Sequence, residues 1–339
     1  MTYPSILIVN QNWLGDALFS TPAIRAIRKN FPKSRIACMA PARCREVLEH
    51  NPYLDEVIVY NEKTSWLLFP ALIQLAFKLR QEKFDKVFLF HRSKSKALLM
   101  AMAGIPERIG FSAPNRNRFL TRAFLPPAKP VHKIDYFLHL IQSAGLELDG
   151  RTMDFSFKEG ELEVLTDSLE KLGLIKGEPY VVVHPGGNWD LKRWPVGSFG
   201  AWIKIFIQRM NWKVIICGTP GEKELVDKLV AEVSNEKVLS LCGKTSVSQL
   251  AALLKNARFL LSNDSGPIHL AASQGTPIVG IFGPTDAILT GPVSKGRLNI
   301  LQKNVGCQVP CYFRECDYRL CMEAITPEEV LETCVQLIQ

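Results

Sequence analysis

Four short segments of this 339-residue chain carry residue types that bind anions or move protons. Asn263-Asp264-Ser265-Gly266-Pro267-Ile268-His269-Leu270-Ala271-Ala272 follows the apolar run Arg258-Phe259-Leu260-Leu261 and opens an apolar helix of small residues. Such a strand–turn–helix leaves backbone N–H groups unpaired at the helix start, where the helix dipole also favours negative charge. The pattern suits a phosphate or nucleotide, and equally a well-capped core helix. Ser265 and the Gly266 N–H are the better direct phosphate ligands. A carboxylate repels phosphate, so Asp264 is expected to brace the turn or to pair with Lys192. Pro267 has no N–H to offer, and His269, one turn in, taken alone reads as a core histidine.

The second segment is His184-Pro185-Gly186-Gly187-Asn188-Trp189-Asp190-Leu191-Lys192-Arg193-Trp194-Pro195. Gly186 and Gly187 let backbone approach a ligand closely. Lys192 and Arg193 add positive charge before a Pro-started helix, a combination suited to a diphosphate; the bland alternative is a solvated basic loop. In the third, Cys217-Gly218-Thr219-Pro220-Gly221-Glu222, the carboxylate of Glu222 can accept from ribose hydroxyls, or simply favour the helix dipole. The fourth, Asn10-Gln11-Asn12-Trp13-Leu14-Gly15-Asp16, places Asp16 as a general base or as a helix N-cap. It lacks G-x-G-x-x-G, so a dinucleotide fingerprint is absent there. Gly280-Ile281-Phe282-Gly283-Pro284-Thr285-Asp286 is a further strand end with turn glycines.

Cys307, Cys311, Cys316 and Cys321 form a separate cluster with gaps of three, four and four residues. Four thiolates can hold a tetrahedral zinc, but these gaps fit neither a standard zinc knuckle nor an iron–sulfur pattern. A structural loop of reduced or paired thiols is the favoured reading, and no metal is assigned.

The elements that must position these segments alternate. Strands are expected at 5–9, 35–39, 57–60 and 86–90, with helices at 16–30, 42–49, 65–81 and 135–145. Such spacing predicts a parallel sheet covered on both faces. The polar stretch 147–158 carries little core, and after a helix at 161–172 the pattern restarts. Strands are expected at 180–183, 213–217, 238–240, 258–261 and 277–282, helices at 196–210, 222–232 and 247–256, and a closing helix at 326–339 capped by Thr326. Two successive βαβ halves predict two Rossmann-like domains, 1–157 and 158–339, facing a central cleft, with the motifs at carboxyl ends of strands.

Composition sets outer bounds. Hydrophobic residues make up 47% and charged residues 22%, ordinary for a globular protein with a full core. The +8 formal charge argues against basic partners and leaves phosphate-bearing ligands, nucleic acid or an anionic membrane surface open. No stretch reads as a signal peptide, and the most apolar one, Trp66 to Phe77, is too short to span a bilayer. A cytoplasmic location is expected. No aromatic–basic interleaving or nucleic-acid motif appears, so no nucleic-acid partner is expected.

Taken in order, the segments resemble the bacterial heptosyltransferases of glycosyltransferase family nine. The resemblance runs essentially end to end. It is carried by Trp13-Leu14-Gly15-Asp16, by His184-Pro185-Gly186-Gly187 with Lys192-Arg193-Trp194-Pro195, by Asn263-Asp264-Ser265-Gly266-Pro267-Ile268-His269-Leu270-Ala271, and by Phe282-Gly283-Pro284-Thr285. The cysteine cluster resembles the second-heptose branch more than the first.

The resemblance implies a GT-B fold with an acceptor-binding N-terminal domain and a donor-binding C-terminal domain. It implies inverting, metal-independent transfer of heptose from ADP-L-glycero-β-D-manno-heptose to the inner core of lipopolysaccharide, with no cofactor required. Asp16 is then the base. Lys192, Asp264, Ser265 and Gly266 are expected at the diphosphate, Glu222 at the ribose, and Gly187, Asn188 and His269 are further donor candidates. Where relatives carry hydroxyl residues before the lysine, this chain has Gly187 and Asn188, which shifts contacts there to the backbone. An anionic Kdo-lipid A acceptor would be read by basic residues among Arg92, Lys94, Lys96, Arg116, Arg118 and Arg122, with Arg116 and Arg118 the leading candidates, and with peripheral contact at the inner membrane surface. Weighed beside this are a family-nine transferase using another nucleotide sugar or acceptor, a sugar-nucleotide epimerase on the same architecture, and a non-catalytic nucleotide-binding protein.

Overall fold

Five of the six residues in the segments Ile6–Val9 and Cys38–Met39 are Ile, Leu, Val or Cys, and all six are buried, because each lies in a sheet covered on both faces. The computed structural model describes residues 3–60, 69–311, 313 and 315–339. The chain forms two compact units, Met1–Ser156 and Phe157–Gln339.

The first unit holds strands β1 (Ile6–Val9), β2 (Ile36–Pro41), β3 (Glu56–Tyr60), β4 (Lys86–Leu89), β5 (Glu107–Phe111) and β6 (Arg122–Phe124). Their order is β3-β2-β1-β4-β5-β6, with every pair parallel. The second unit holds β7 (Tyr180–His184), β8 (Lys213–Ile216), β9 (Val238–Ser240), β10 (Leu260–Asn263), β11 (Ile278–Phe282) and β12 (Leu298–Gln302). Here the order is β12-β11-β10-β7-β8-β9, again all parallel. Counted from the first strand of each unit, both sheets have the doubly wound order 3-2-1-4-5-6. Each reverses direction once, between β1 and β4 and between β7 and β10, and ligands of such sheets bind at the carboxyl ends of those strands.

Several expectations are corrected. The helix expected at 16–30 is two, Leu14–Phe19 and Thr21–Asn30. Ser20 Oγ donates to Ala17 O and Thr21 Oγ1 to Leu18 O, and Pro22 has no N–H to continue the ladder. Helix Lys94–Met102 and strands β5, β6 and β12 were not anticipated. The last two are edge strands without an apolar run, and β5 carries Glu107, Arg108 and Gly110. Part of the helix expected at 65–81, and the start of the apolar stretch at Trp66, fall outside the described residues; the helix is described from Phe69 to Gln81.

The stretch at 147–158 is less detached than its composition predicts. Met153 and Phe155 are buried. Arg25 donates to Asp149 O (2.8 Å) and Thr152 O (2.9 Å) and pairs with Asp154, whose N–H reaches Thr21 Oγ1 at 2.8 Å. In the second unit a dense aromatic core of Trp194, Phe199, Trp202, Phe206 and Phe259 packs under the sheet. Among the described residues no helix is long and apolar enough to cross a membrane.

Candidate functional site

In the second unit, β7 ends at His184 and β10 at Asn263, so the glycine segment and the Asp-Ser-Gly turn leave the sheet side by side at its reversal point. Asn263 is wholly buried and joins them. Its Nδ2 donates to Pro185 O (2.8 Å) and Gly186 O (3.0 Å), and its Oδ1 accepts from Trp194 N (3.0 Å). All three of these side-chain contacts are to backbone, so the amide fixes loop shape instead of offering a group to a ligand.

Asp264 is almost fully buried and is turned to Lys192, whose Nζ lies 2.7 Å from Asp264 Oδ2; Thr285 Oγ1 donates to the same oxygen at 2.7 Å. The Thr285 loop is held in turn by Gln302 Nε2, which donates to Gly283 O and Thr285 O. An ammonium has three donors. Asp264 uses one, which leaves Lys192 oriented and able to give the others to an anion. Ser265 is the N-cap of helix Gly266–Gln274 but makes no side-chain capping bond; its hydroxyl lies 3.0 Å from His184 Nδ1. His269 is buried within that helix.

Glu222 ends the short 3-10 turn Pro220–Glu222 in the segment that follows β8. Its Oε1 accepts from Gly187 N (2.7 Å), and its Oε2 accepts from Thr219 N (2.7 Å) and Thr219 Oγ1 (2.8 Å), with His184 Nε2 at 3.6 Å. Burial raises the pKa of this carboxyl, but His184 and Thr219 outweigh it and hold the group well below the usual range. Two expectations shift here. Gly187, at φ +154°, has its N–H taken by Glu222, so it offers a ligand the space of a missing side chain and not its amide. Gly186 is glycine because a Cβ there would fall 1.9 Å from Glu222 Oε1. Asn188 is exposed. Arg193 Nε donates to Gly187 O at 2.8 Å, and its guanidinium pairs with Asp190, so its charge is spent within the loop. Pro195 is the N-cap of helix Val196–Met210, one residue before its first turn.

In the first unit, the corresponding reversal point carries Asp16, half-buried in the first turn of helix Leu14–Phe19. The N-cap of that helix is Trp13, which corrects the reading of Asp16 as cap. Around it, Asn12 Oδ1 accepts from Lys96 Nζ (2.7 Å) and Tyr60 OH (3.0 Å), and Lys96 lies over the Tyr60 ring. Burial pushes Lys96 down to about 8 and His91 down to about 4. The Cys44 thiol is pushed up to about 11 by burial, with the Asp16 carboxylate adding in the same direction.

Arg116 is corrected as an acceptor contact. It is fully buried, donates to Phe111 O and to His91 O (3.0 Å), and packs against Gly110. Arg118, by contrast, is exposed and lines a cavity of about 460 Å³ with Arg92, Ser112, Asn115 and Asn117. Arg122 is engaged by Glu107 and Ala144 O.

Cys307, Cys311, Cys316 and Cys321 line one cavity with Leu191, Gly283 and Pro284. Burial, then proximity to Cys307, Cys316 and Cys311, raises the Cys321 thiol. Among the described residues no group of three His, Cys, Asp or Glu side chains is arranged to hold a metal ion.

The family model for glycosyltransferase family 9 (heptosyltransferase) matches residues 72–320, well over half of the chain. The chain belongs to glycosyltransferase family 9. This family-9 protein is therefore a glycosyltransferase with a GT-B fold. It is 25% identical over 299 residues to lipopolysaccharide heptosyltransferase 2 of Escherichia coli K12, covering 85% of each chain. It is 25% identical to the Salmonella typhimurium protein of the same name, covering 98% of each. Its fold superposes on the structure of E. coli ADP-heptose lps heptosyltransferase II with a TM-score of 0.83 at 24% identity and 98% coverage of both chains. A family-9 glycosyltransferase from Veillonella parvula gives 0.87 at 24% identity, covering 99% of this chain and 97% of that one.

Among residues that sequence reasoning left without a role are Asn263, Thr285 and His184. All three lay inside quoted motifs, and polar side chains at or just after the ends of apolar strands were the available signal.

Proposed function

We propose that this transferase moves heptose from ADP-L-glycero-β-D-manno-heptose onto the inner core of lipopolysaccharide, with inversion and without a metal ion. The observation that carries the donor half is the Lys192–Asp264–Thr285 network at the reversal point of the second sheet, beside a helix start whose cap serine is not used for capping. As the bond from the anomeric carbon to the diphosphate oxygen breaks, negative charge grows on ADP. The Lys192 ammonium and the helix start stabilise that charge. Asp16 takes the proton of the acceptor hydroxyl as that oxygen bonds to the anomeric carbon from the opposite face, which inverts the centre. The acceptor is an anionic Kdo-lipid, read by Arg118 and Arg92, and the enzyme works at the inner face of the cytoplasmic membrane. The relatives named lipopolysaccharide heptosyltransferase 2 support the choice of the second heptose.

The test offers ADP-heptose and other nucleotide sugars with Kdo-lipid acceptors carrying no heptose or one, and reads products by mass spectrometry. A single heptose added only to the one-heptose acceptor, with full activity in EDTA, is the expected result. Turnover of the donor without any acceptor points to an epimerase and overturns the proposal.

A further inference from the structure

Helix Phe69–Gln81 carries apolar residues on two sides, whereas a helix on the surface of a globular domain needs one apolar stripe, for the core. Ala76 and Leu79 are buried in the core of the first unit, and Leu72 and Leu75 pack against it. Ile73 and Phe77 stand one turn apart on another side and remain 45% and 63% exposed. Core packing accounts for the first set and not for the second. This helix holds the described part of the chain's most apolar stretch, which is too short to span a bilayer.

The charge around the outer pair has one sign. The helix contains no carboxylate; Lys78 and Arg80, both exposed, lie in its last turn, and the exposed Lys83 follows. Helix Lys94–Met102 packs beside it, also contains no carboxylate, and opens on the exposed Lys94. The two acidic residues that follow in sequence are engaged elsewhere: Glu82 accepts from Arg35 at 2.7 Å and Asp85 from Ser5 N at 2.7 Å. A helix facing water is built differently in the same chain. Helix Lys223–Val233 buries Val226 and Leu229, and pairs Lys223 with Asp227 and Lys228 with Glu224 on its outward side.

Exposed apolar side chains flanked by cations complement a surface that is anionic outside and apolar within. We propose that helix Phe69–Gln81 docks this protein on an anionic lipid bilayer, with Ile73 and Phe77 among the acyl chains and Lys78, Arg80 and Lys83 on the headgroup phosphates. Two copies of the chain paired through this patch would bring cations against cations, whereas headgroups neutralise them. Helix Lys94–Met102 also meets the turn Asn117–Phe119, whose Asn117 and Arg118 line the cavity that includes Arg92. A bilayer beneath the helix pair thus brings the sugar of a lipid-anchored acceptor toward that cavity. The docking draws its use from the reading of the acceptor as a lipid-anchored sugar, but is measured without donor or acceptor.

The experiment is co-sedimentation of the full chain with phosphatidylcholine vesicles, with and without phosphatidylglycerol, at low and high salt. Wild type is expected on the phosphatidylglycerol vesicles only, and less at high salt. Ile73→Ser with Phe77→Ser is expected to weaken that binding by about tenfold or more, and Lys78→Glu with Arg80→Glu by about tenfold or more as well. All four residues are exposed, and circular dichroism checks that both variants are folded. With ADP-heptose, both variants should keep wild-type kcat on a deacylated acceptor and show a raised KM only for acceptor held in vesicles. Absence of wild type from phosphatidylglycerol vesicles, or undiminished binding by either variant, overturns the proposal. So does a wild-type dimer that Ile73→Ser with Phe77→Ser separates, since the stripe then belongs to a second copy. Vesicle binding as expected, with no heptose transferred to any Kdo-lipid, overturns the acceptor reading and leaves the docking surface standing.

Discussion

Lys192 Nζ and Asp264 Oδ2 are 2.7 Å apart, with Asp264 almost wholly buried and Lys192 keeping about a fifth of its side chain in solvent at 21% exposure. The carboxylate that seemed out of place beside a phosphate is thus neutralised and used to aim the ammonium. Removing only the lysine strands a buried charge. Lys192→Met is expected to destabilise the protein by about 3 kcal/mol and to abolish transfer. Lys192→Met with Asp264→Asn should regain most of the stability in urea melts and none of the activity. Equal stability of the single and double variants would contradict this.

Asp16 is the third residue of its helix and not its cap, so its loss should cost little in folding. Asp16→Asn is expected to lower kcat by about 10²-fold or more, with the melting temperature shifted by a few degrees at most and the ADP Kd unchanged. A variant with near-normal kcat would remove Asp16 from the base role.

Lys96 offers a test by pH. Burial holds it at about 8 against an ordinary 10.5. The folded state therefore disfavours its charged form. The penalty is fully present below pH 8 and is relieved as pH rises toward 10.5, because the unfolded chain binds the proton more tightly there. Lys96→Met should therefore stabilise the protein at pH 7, by at most about 3 kcal/mol, with the gain fading above pH 8. Denaturation at pH 7 and pH 10 measures it, and a pH-independent difference would refute it.

Arg116 and Arg118 should separate cleanly. Arg116→Ala removes the donors to Phe111 O and His91 O from a buried site, and a loss of about 2–4 kcal/mol in stability is expected. Arg118→Ala, at an exposed residue lining the cavity with Arg92, should leave stability within about 0.5 kcal/mol and raise KM for an anionic acceptor several-fold without changing the donor KM.

Gly186→Ala tests how closely Glu222 must approach. The new Cβ would meet Glu222 Oε1 at 1.9 Å, so the carboxylate must leave the Gly187 N–H. A loss of about 1–3 kcal/mol is expected, with weakened ADP binding, read by melts and titration.

The fold class was legible because buried parallel strands are continuous apolar runs: Ile6–Val9 and Tyr180–His184 announce themselves. The edge strands Arg122–Phe124 and Leu298–Gln302 were not, since one face or edge meets solvent and no apolar run marks them. At the site, the spacing of Lys192 and Asp264 hinted at a pair, and the structure brings them together. Sequence could not show that Glu222 would take the Gly187 amide, or that Arg116 would be buried, because both depend on contacts made across the fold, over 35 and 25 residues. An arginine in a loop reads the same whether it faces water or a ring of carbonyls.

Arg25 has a further meaning for how the molecule can be divided. By holding Asp149, Thr152 and Asp154, it makes the stretch after helix Lys133–Ser143 an integral course of the first unit. A fragment ended at residue 146 would leave a buried guanidinium without acceptors and empty the seats of Met153 and Phe155. The place where this chain tolerates a cut, an inserted tag or a new terminus is therefore after Ser156, and not at the polar stretch whose composition first invites it.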